Sequence, residues 1–200
     1  MGYIDAAGAA DYVRSALSGH QDTVQAVAAL EGAITAAAEV IAAAFAGEHH
    51  LLLCGNGGSA ADAQHIAAEF TGRFLKERRP LPALALSTNT SGLTAIGNDY
   101  GFDEVFARQV RAHGRPGDVL LAISTSGDSA NVLSAMGAAR DLGMKVVGLS
   151  GPGGRMACAC DVCLSVPGDS TPRIQEGHIL VAHIICGLVE DSLEDAGATR

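Results

Sequence analysis

Between residues 7 and about 47 the chain has no proline and is dominated by alanine, with larger apolar side chains at Val27, Leu30, Ile34, Ile41 and Phe45. Steps of three, four and seven residues predict helix, and alanine is the strongest helix former. Gly19-His20 marks the expected break between two helices. From residue 50 the texture changes. Short apolar runs at residues 50–54, 81–87, 118–123, 145–150 and 161–166 alternate with stretches of helical period. Helices are expected at residues 60–72, somewhere after residue 87, at about 129–142 and at about 173–194. Runs that do not alternate apolar with polar are buried on both faces, as in a parallel sheet covered by helices. The chain therefore reads as α/β. A five-stranded parallel sheet flanked by helices occupies residues 49–200, and residues 1–48 form an N-terminal helical arm of the same domain. The alanine excess suits close helix packing, against the domain or against another subunit.

Charge and cysteine content narrow the function classes. Lys plus Arg number 13 against 22 Asp plus Glu, a net charge of −9, and residues 76–79 are the one basic cluster. A nucleic-acid groove is not expected from that balance. Residues 24–47, the most apolar stretch, are interrupted by Glu31 and Glu39 and fall short of the ~18 uncharged residues of a membrane span. Met1-Gly2-Tyr3-Ile4-Asp5 has neither the basic start nor the apolar run of a secretory leader. A cytoplasmic protein with no membrane or nucleic-acid partner is the expectation. Five cysteines, an odd number in a chain too long to need staples, point to reduced thiols. Cys158-Ala159-Cys160-Asp161-Val162-Cys163 lacks the doubled C-x2-C spacing of a zinc site, and its last residues read as buried strand, so these sulfurs are expected to pack.

Two loops leave a strand and open a helix. Gly55-Asn56-Gly57-Gly58-Ser59 lets the backbone approach a ligand at a helix N-terminus, though a plain tight turn explains it as well. It has neither dinucleotide-loop spacing nor the lysine of a P-loop. Ser124-Thr125-Ser126-Gly127-Asp128-Ser129 places four hydroxyls around a glycine at a helix start, a phosphate cradle without a basic residue. Capping the helix accounts for Ser129 but not for the other three. Asp128 is a carboxylate beside that cradle, which weakens phosphate binding unless it points away.

His65 and Glu69 are four residues apart on the helix after the first loop, about 40° around it. Gln175 and His183, eight residues apart, are about 80° around the last helix. Histidine and glutamate are ordinary zinc ligands and glutamine an unusual one, while an isolated His/Glu pair is as readily a surface pair. His20, His49, His50, His113 and His178 have no such setting and read as surface or packing residues.

Taken together, Gly55-Asn-Gly-Gly-Ser-Ala-Ala-Asp-Ala-Gln-His65, Leu93-Thr-Ala-Ile-Gly-Asn-Asp-Tyr-Gly101, Ile123-Ser-Thr-Ser-Gly127 and Arg173-Ile-Gln-Glu-Gly-His178 resemble the sugar isomerase (SIS) domain family, and within it the phosphoheptose isomerases. The resemblance implies a flavodoxin-like sheet of order 2-1-3-4-5. It also implies a cytoplasmic homotetramer with sites at subunit interfaces, in which the helical arm takes part. The implied reaction turns sedoheptulose 7-phosphate, a small-molecule sugar phosphate, into D-glycero-D-manno-heptose 7-phosphate, with one zinc ion per subunit. By the same resemblance Asn56, Gly57, Gly58, Ser59, Asn98, Asp99 and Gln175 contact substrate, and Ser124, Thr125, Ser126 and Ser129 hold its phosphate. His65, Glu69, Gln175 and His183 are the implied zinc ligands, with Glu69 and His183 also the implied base and acid. The same fold and loops occur in non-catalytic relatives, a DnaA initiator-associating regulator that binds a protein partner and modules that sense a sugar phosphate. Presence of both Glu69 and His183 favours the enzyme.

Overall fold

The computed structural model describes residues 5–197; residues 1–4, part of the segment read as lacking a leader, lie outside the described residues. Helix α1 (Ala6–Val27) runs straight through Gly19-His20, and the break falls later, in a 3-10 turn at Ala28–Leu30 before α2 (Glu31–Ala46). The expected break at Gly19 is thus corrected. The glycine is there for close approach: a Cβ on it would stand 3.4 Å from Arg173 Cδ, and the Arg173 guanidinium donates to the Ala16 carbonyl. His20 Nδ1 lies 2.8 Å from Glu176 Oε2, so the Gly-His step docks α1 onto the last helix.

Five strands follow the expected order: β1 (Leu51–Cys54), β2 (Ala83–Ala85), β3 (Val119–Ser124), β4 (Lys145–Ser150) and β5 (Val162–Ser165). All pair in parallel, in spatial order β2-β1-β3-β4-β5. β2 is shorter than its apolar run because Pro82 has no N–H to give the ladder and the chain turns at Thr88, whose N–H bonds the Ala85 carbonyl. The helices between are α3 (Gly58–Thr71), α4 (Thr90–Tyr100), α5 (Ala107–His113), α6 (Ala130–Asp141) and α7 (Thr171–Gly197). The helical stretch expected after residue 87 is therefore two helices, α4 and α5, separated by a 3-10 turn at Phe102–Glu104.

Strand periodicity divides the core in two. Val119, Leu121 and Ile123 of β3 face Ile34, Ile41 and Phe45 of α2, Ile66 and Phe70 of α3, and Val181 and Ile185 of α7. Leu120 and Ala122 face Phe106, Val110, Val132 and Met136 on the other side. Residues Ala7–Ala46 are long and apolar enough to cross a bilayer by length and composition. In this fold α2 spends its apolar stripe on the sheet, while Glu31 and Glu39 stay at the surface.

The strand order reverses between β1 and β3. Their helices, α3 and α6, pack on opposite faces, so the loops leaving the two carboxyl ends diverge and leave a crevice between them.

Candidate functional site

The first loop is built by its glycines. A Cβ at Gly55 would sit 2.7 Å from the Ser59 carbonyl oxygen, and Gly57 holds φ +55°, a region that strains other residues. A Cβ on Gly58 would collide with the Gln175 amide, so α7 lies directly over the loop. Asn56 and Asn131 exchange two amide hydrogen bonds, 2.8 and 2.9 Å, tying this loop to the first turn of α6. Asn131 is buried, and its only signal in the sequence is an amide at a core position of an apolar helix face. Ser59 is buried beneath Gly55, whereas Gly57 and Gly58 are exposed.

The second loop gathers its hydroxyls. Ser124, buried at the end of β3, has its Oγ 2.9 Å from Ser129 Oγ and 3.3 Å from Ser126 Oγ. Ser126 Oγ accepts the Asp128 N–H at 3.2 Å. Ser129 occupies the cap position of α6 but makes no side-chain cap bond, so its hydroxyl is turned to the loop. The Thr125 carbonyl accepts the Gly151 N–H at 3.1 Å, and Gly127 takes φ +68°. Asp128 is engaged elsewhere: its Oδ1 accepts from Arg155 Nε at 2.8 Å and from the Arg155 N–H at 3.2 Å. That side-chain bond, reinforced by the backbone one, holds the Asp128 carboxyl below the usual carboxylate range.

Helices α3 and α7 bring the ionisable groups together. His65 Nε2 lies 3.0 Å from Glu69 Oε1, and His183 Nε2 lies 3.4 Å from His65 Nε2. The two imidazoles meet edge to face at 5.0 Å, with Phe74 stacked on His183 at 5.4 Å. Two imidazole nitrogens and a carboxylate oxygen, all within 4.8 Å of one another, are a donor set suited to zinc. Gln175 is two turns earlier on α7, its amide packed against Gly58. Asn98 and Asp99 are not joined to this cluster by the described contacts: they are exposed at the end of α4, bonded to each other at 2.8 Å.

Two further groups border the site. His178, expected as a packing or surface residue, is fully buried and donates Nε2–H to the Ser150 carbonyl at 3.0 Å, fastening α7 to the carboxyl end of β4. Burial pulls its pKa down, so it packs as neutral imidazole. Asp62, one turn before His65, has a buried Oδ2 without a protein partner among the described residues. Burial pushes its carboxyl pKa up, with His65 opposing the shift.

The SIS domain family model matches residues 17–151. A phosphoheptose isomerase of Rhodospirillum rubrum is 63% identical over 162 residues, covering 80% of this chain and 86% of the relative. The structure of the phosphoheptose isomerase GmhA from Neisseria gonorrhoeae superimposes with a TM-score of 0.85 at 47% identity, over 90% of this chain and 98% of that one. The structure of a phosphoheptose isomerase from Francisella tularensis gives 0.87 at 40% identity, over 92% and 98%.

Proposed function

The chain belongs to the SIS domain family and, within it, to the phosphoheptose isomerases, and from that premise we propose that it converts sedoheptulose 7-phosphate to D-glycero-D-manno-heptose 7-phosphate, the entry to nucleotide-activated heptose. The observation that carries the reading is Glu69, hydrogen-bonded to His65 and close to His183, on the helix opened by the glycine loop. A ketose-to-aldose conversion moves one proton between C1 and C2 and another between their oxygens, through an enediolate. It needs a base at carbon, a donor at oxygen and a remote grip that supplies binding energy.

Each requirement has its residues. Glu69 spends Oε1 on His65, leaving Oε2 to take the carbon proton. His183 serves the substrate oxygens, its ring fixed between His65 and Phe74. Ser124, Thr125, Ser126 and Ser129 hold the phosphate at the N-terminus of α6, where the helix dipole and free N–H groups favour an anion. Asn56, Gly57, Gly58, Ser59 and Gln175 line the sugar from one side, and Asn98 and Asp99 contribute from α4. His65, Glu69 and His183, with the Gln175 amide oxygen as fourth donor, would hold one zinc ion per subunit, which when bound supplies a Lewis acid that polarises the substrate carbonyl.

The same reading places the enzyme in the cytoplasm as a homotetramer with its sites at subunit interfaces. Residues 1–48 act as an arm of the α/β body of residues 49–200. Exposed Tyr12, Val13 and Leu17 on α1 and Ile184 and Leu188 on α7 are apolar surface that a second copy would cover.

The test is sedoheptulose 7-phosphate incubated with the zinc-replete protein in D2O and followed by NMR. Deuterium entering the sugar at C1 or C2 as an aldose phosphate appears is the expected result. Ligand-induced shifts with no exchange would reassign the chain as a sugar-phosphate binder, and the regulator reading would replace the enzyme.

A further inference from the structure

Three of the five cysteines cluster around the start of β5, outside the site described above. Cys54 and Cys186 are buried thiols whose pKa burial raises to about 12, and they are inert packing groups. Cys160 and Cys163 differ. They form a C-x2-C pair, both half-buried, and both sulfurs crowd one face of Gly148, the residue paired with Cys163 across the sheet. A Cβ on Gly148 would collide with Cys160 Sγ and stand 3.5 Å from Cys163 Sγ, so glycine there is what admits the pair. The Cys160 thiol donates to the Met156 carbonyl at 3.2 Å, and Ser150 Oγ lies 3.5 Å from Cys163 Sγ. The neighbouring Cys160 thiol, with help from the Ser150 hydroxyl, pulls the Cys163 pKa down against burial. The complementary effect pushes the Cys160 thiol up. The two sulfurs are biased in opposite directions, Cys163 toward thiolate and Cys160 toward thiol, the asymmetry of an attacking and a resolving thiol.

The pair is also wired to the serine loop. The Met156 N–H, one turn before Cys160, donates to the Gly127 carbonyl at 3.0 Å, and the adjoining Arg155 holds Asp128. A Cβ on Gly154 would clash with Gly127, so the segment before the pair lies flush against the loop. On the other side Ser150, the neighbour of Cys163, pairs across the sheet with Ser124.

We propose that Cys160 and Cys163 are a redox-active dithiol, closed to a disulfide by a peroxide, whose closure disturbs the phosphate-binding loop and weakens substrate binding. The Cys163 thiolate attacks a peroxide oxygen and becomes a sulfenic acid, and the hydroxide released takes up a proton. The Cys160 sulfur then attacks the Cys163 sulfur, forming the S–S bond, and its proton leaves with the displaced hydroxyl as water. Two thiols lose two electrons and the peroxide gains them. Closure removes the thiol hydrogen bond to the Met156 carbonyl and pulls on the residues that seat Gly127 and Asp128.

The experiment treats the full-length protein with hydrogen peroxide, maps disulfides by peptide mass spectrometry, and measures affinity for sedoheptulose 7-phosphate by calorimetry. The expected product is a Cys160–Cys163 peptide lighter by two hydrogens, with affinity lowered about fivefold or more and restored by a thiol reductant. Cys160→Ser should bind as the reduced protein does and lose the oxidative response, and Cys158→Ser should keep it. The affinity measurement rests on the phosphate reading of the serine loop; the mapping does not, and binding does not require turnover. Oxidation that stops at Cys158 or at a sulfinic acid would overturn the proposal. So would a disulfide that leaves affinity unchanged.

Discussion

At the scale of the residue, Glu69 is assigned both a proton and a share of a metal site, and the two duties separate by experiment. Glu69→Gln keeps an oxygen to accept from His65 but cannot take a proton. Turnover is expected to fall roughly 10²- to 10⁴-fold, the range of a general base, with bound zinc largely retained. Zinc lost in proportion to activity would instead make Glu69 chiefly a ligand. The contact between Asp128 and Arg155 makes a second prediction, because the guanidinium is what keeps a carboxylate occupied beside the hydroxyl cluster. Arg155→Ala should raise KM a few-fold, as suits an exposed ion pair, and Asp128→Asn in the same chain should restore it. An unchanged KM in the single variant would mean the carboxylate never faces the phosphate. The glycines and serines of both loops were legible because spacing and position at strand ends carry their meaning. Asn131, His178 and Asp62 were not. Each is a polar residue inside a helical pattern, and only the approach of another element, or its absence, gives it a role.

At the scale of the element, the His65–Glu69–His183 cluster depends on how α3 meets α7, and one buried ion pair braces that junction. Glu190 of α7 accepts the N–H groups of Phe74 at 3.0 Å and of Leu75 and Lys76 at 2.8 Å, and lies 3.1 Å from Arg78 Nε. Arg78 in turn donates to the Glu69 and Phe70 carbonyls, both at 2.8 Å, closing the end of the helix that carries His65 and Glu69. Burial alone would raise the Glu190 pKa, but the backbone N–H groups and Arg78 hold it below the ordinary carboxylate range. Its folded value being depressed, the stability it contributes is present at neutral pH and is lost as pH falls through the acidic range. Glu190→Gln should cost about 3 kcal/mol in denaturant unfolding at pH 7, since it leaves Arg78 buried without its charge partner. It should also flatten the acid limb of the stability profile. A cost within 0.5 kcal/mol, about what a surface substitution brings, would show that the clamp is dispensable. This clamp was invisible in the sequence, where Glu190 is one more acidic residue near the end of a long helix. The strands were legible because each is a continuous apolar run. Gly19 ends no helix because a helix glycine serves close approach, here to Arg173, as readily as it marks an end.

At the scale of the whole molecule, a parallel sheet covered by helices follows from the alternating apolar runs and helices, its strand order from the resemblance, and quaternary structure from neither pattern nor fold. The alanine-rich start fitted packing on its own domain or on another subunit, and the two helices answer differently. α2 buries Ile34, Ile41 and Phe45 in the core, while α1 leaves Tyr12, Val13, Leu17 and Val24 exposed, with Val13, Leu17 and Val24 at helical spacing. Burying side chains of this size yields roughly 1.5–3 kcal/mol each, enough for a short stripe to hold an assembly when it is repeated by symmetry. Asn98 and Asp99 bond to each other at the exposed end of α4, and the described contacts do not join them to the His65 cluster. Val13→Asp combined with Leu17→Asp should therefore lower the mass seen by light scattering. Circular dichroism should stay nearly unchanged, because α1 contributes little to the core beyond Val27. Turnover per chain should fall with the mass and recover in neither concentrated nor zinc-supplemented samples. A variant of unchanged mass and activity would remove α1 from the interface and leave Ile184 and Leu188 of α7 as the surface to alter next. A dissociated variant with full turnover would mean instead that one subunit holds a complete site, and that Asn98 and Asp99 act without the substrate.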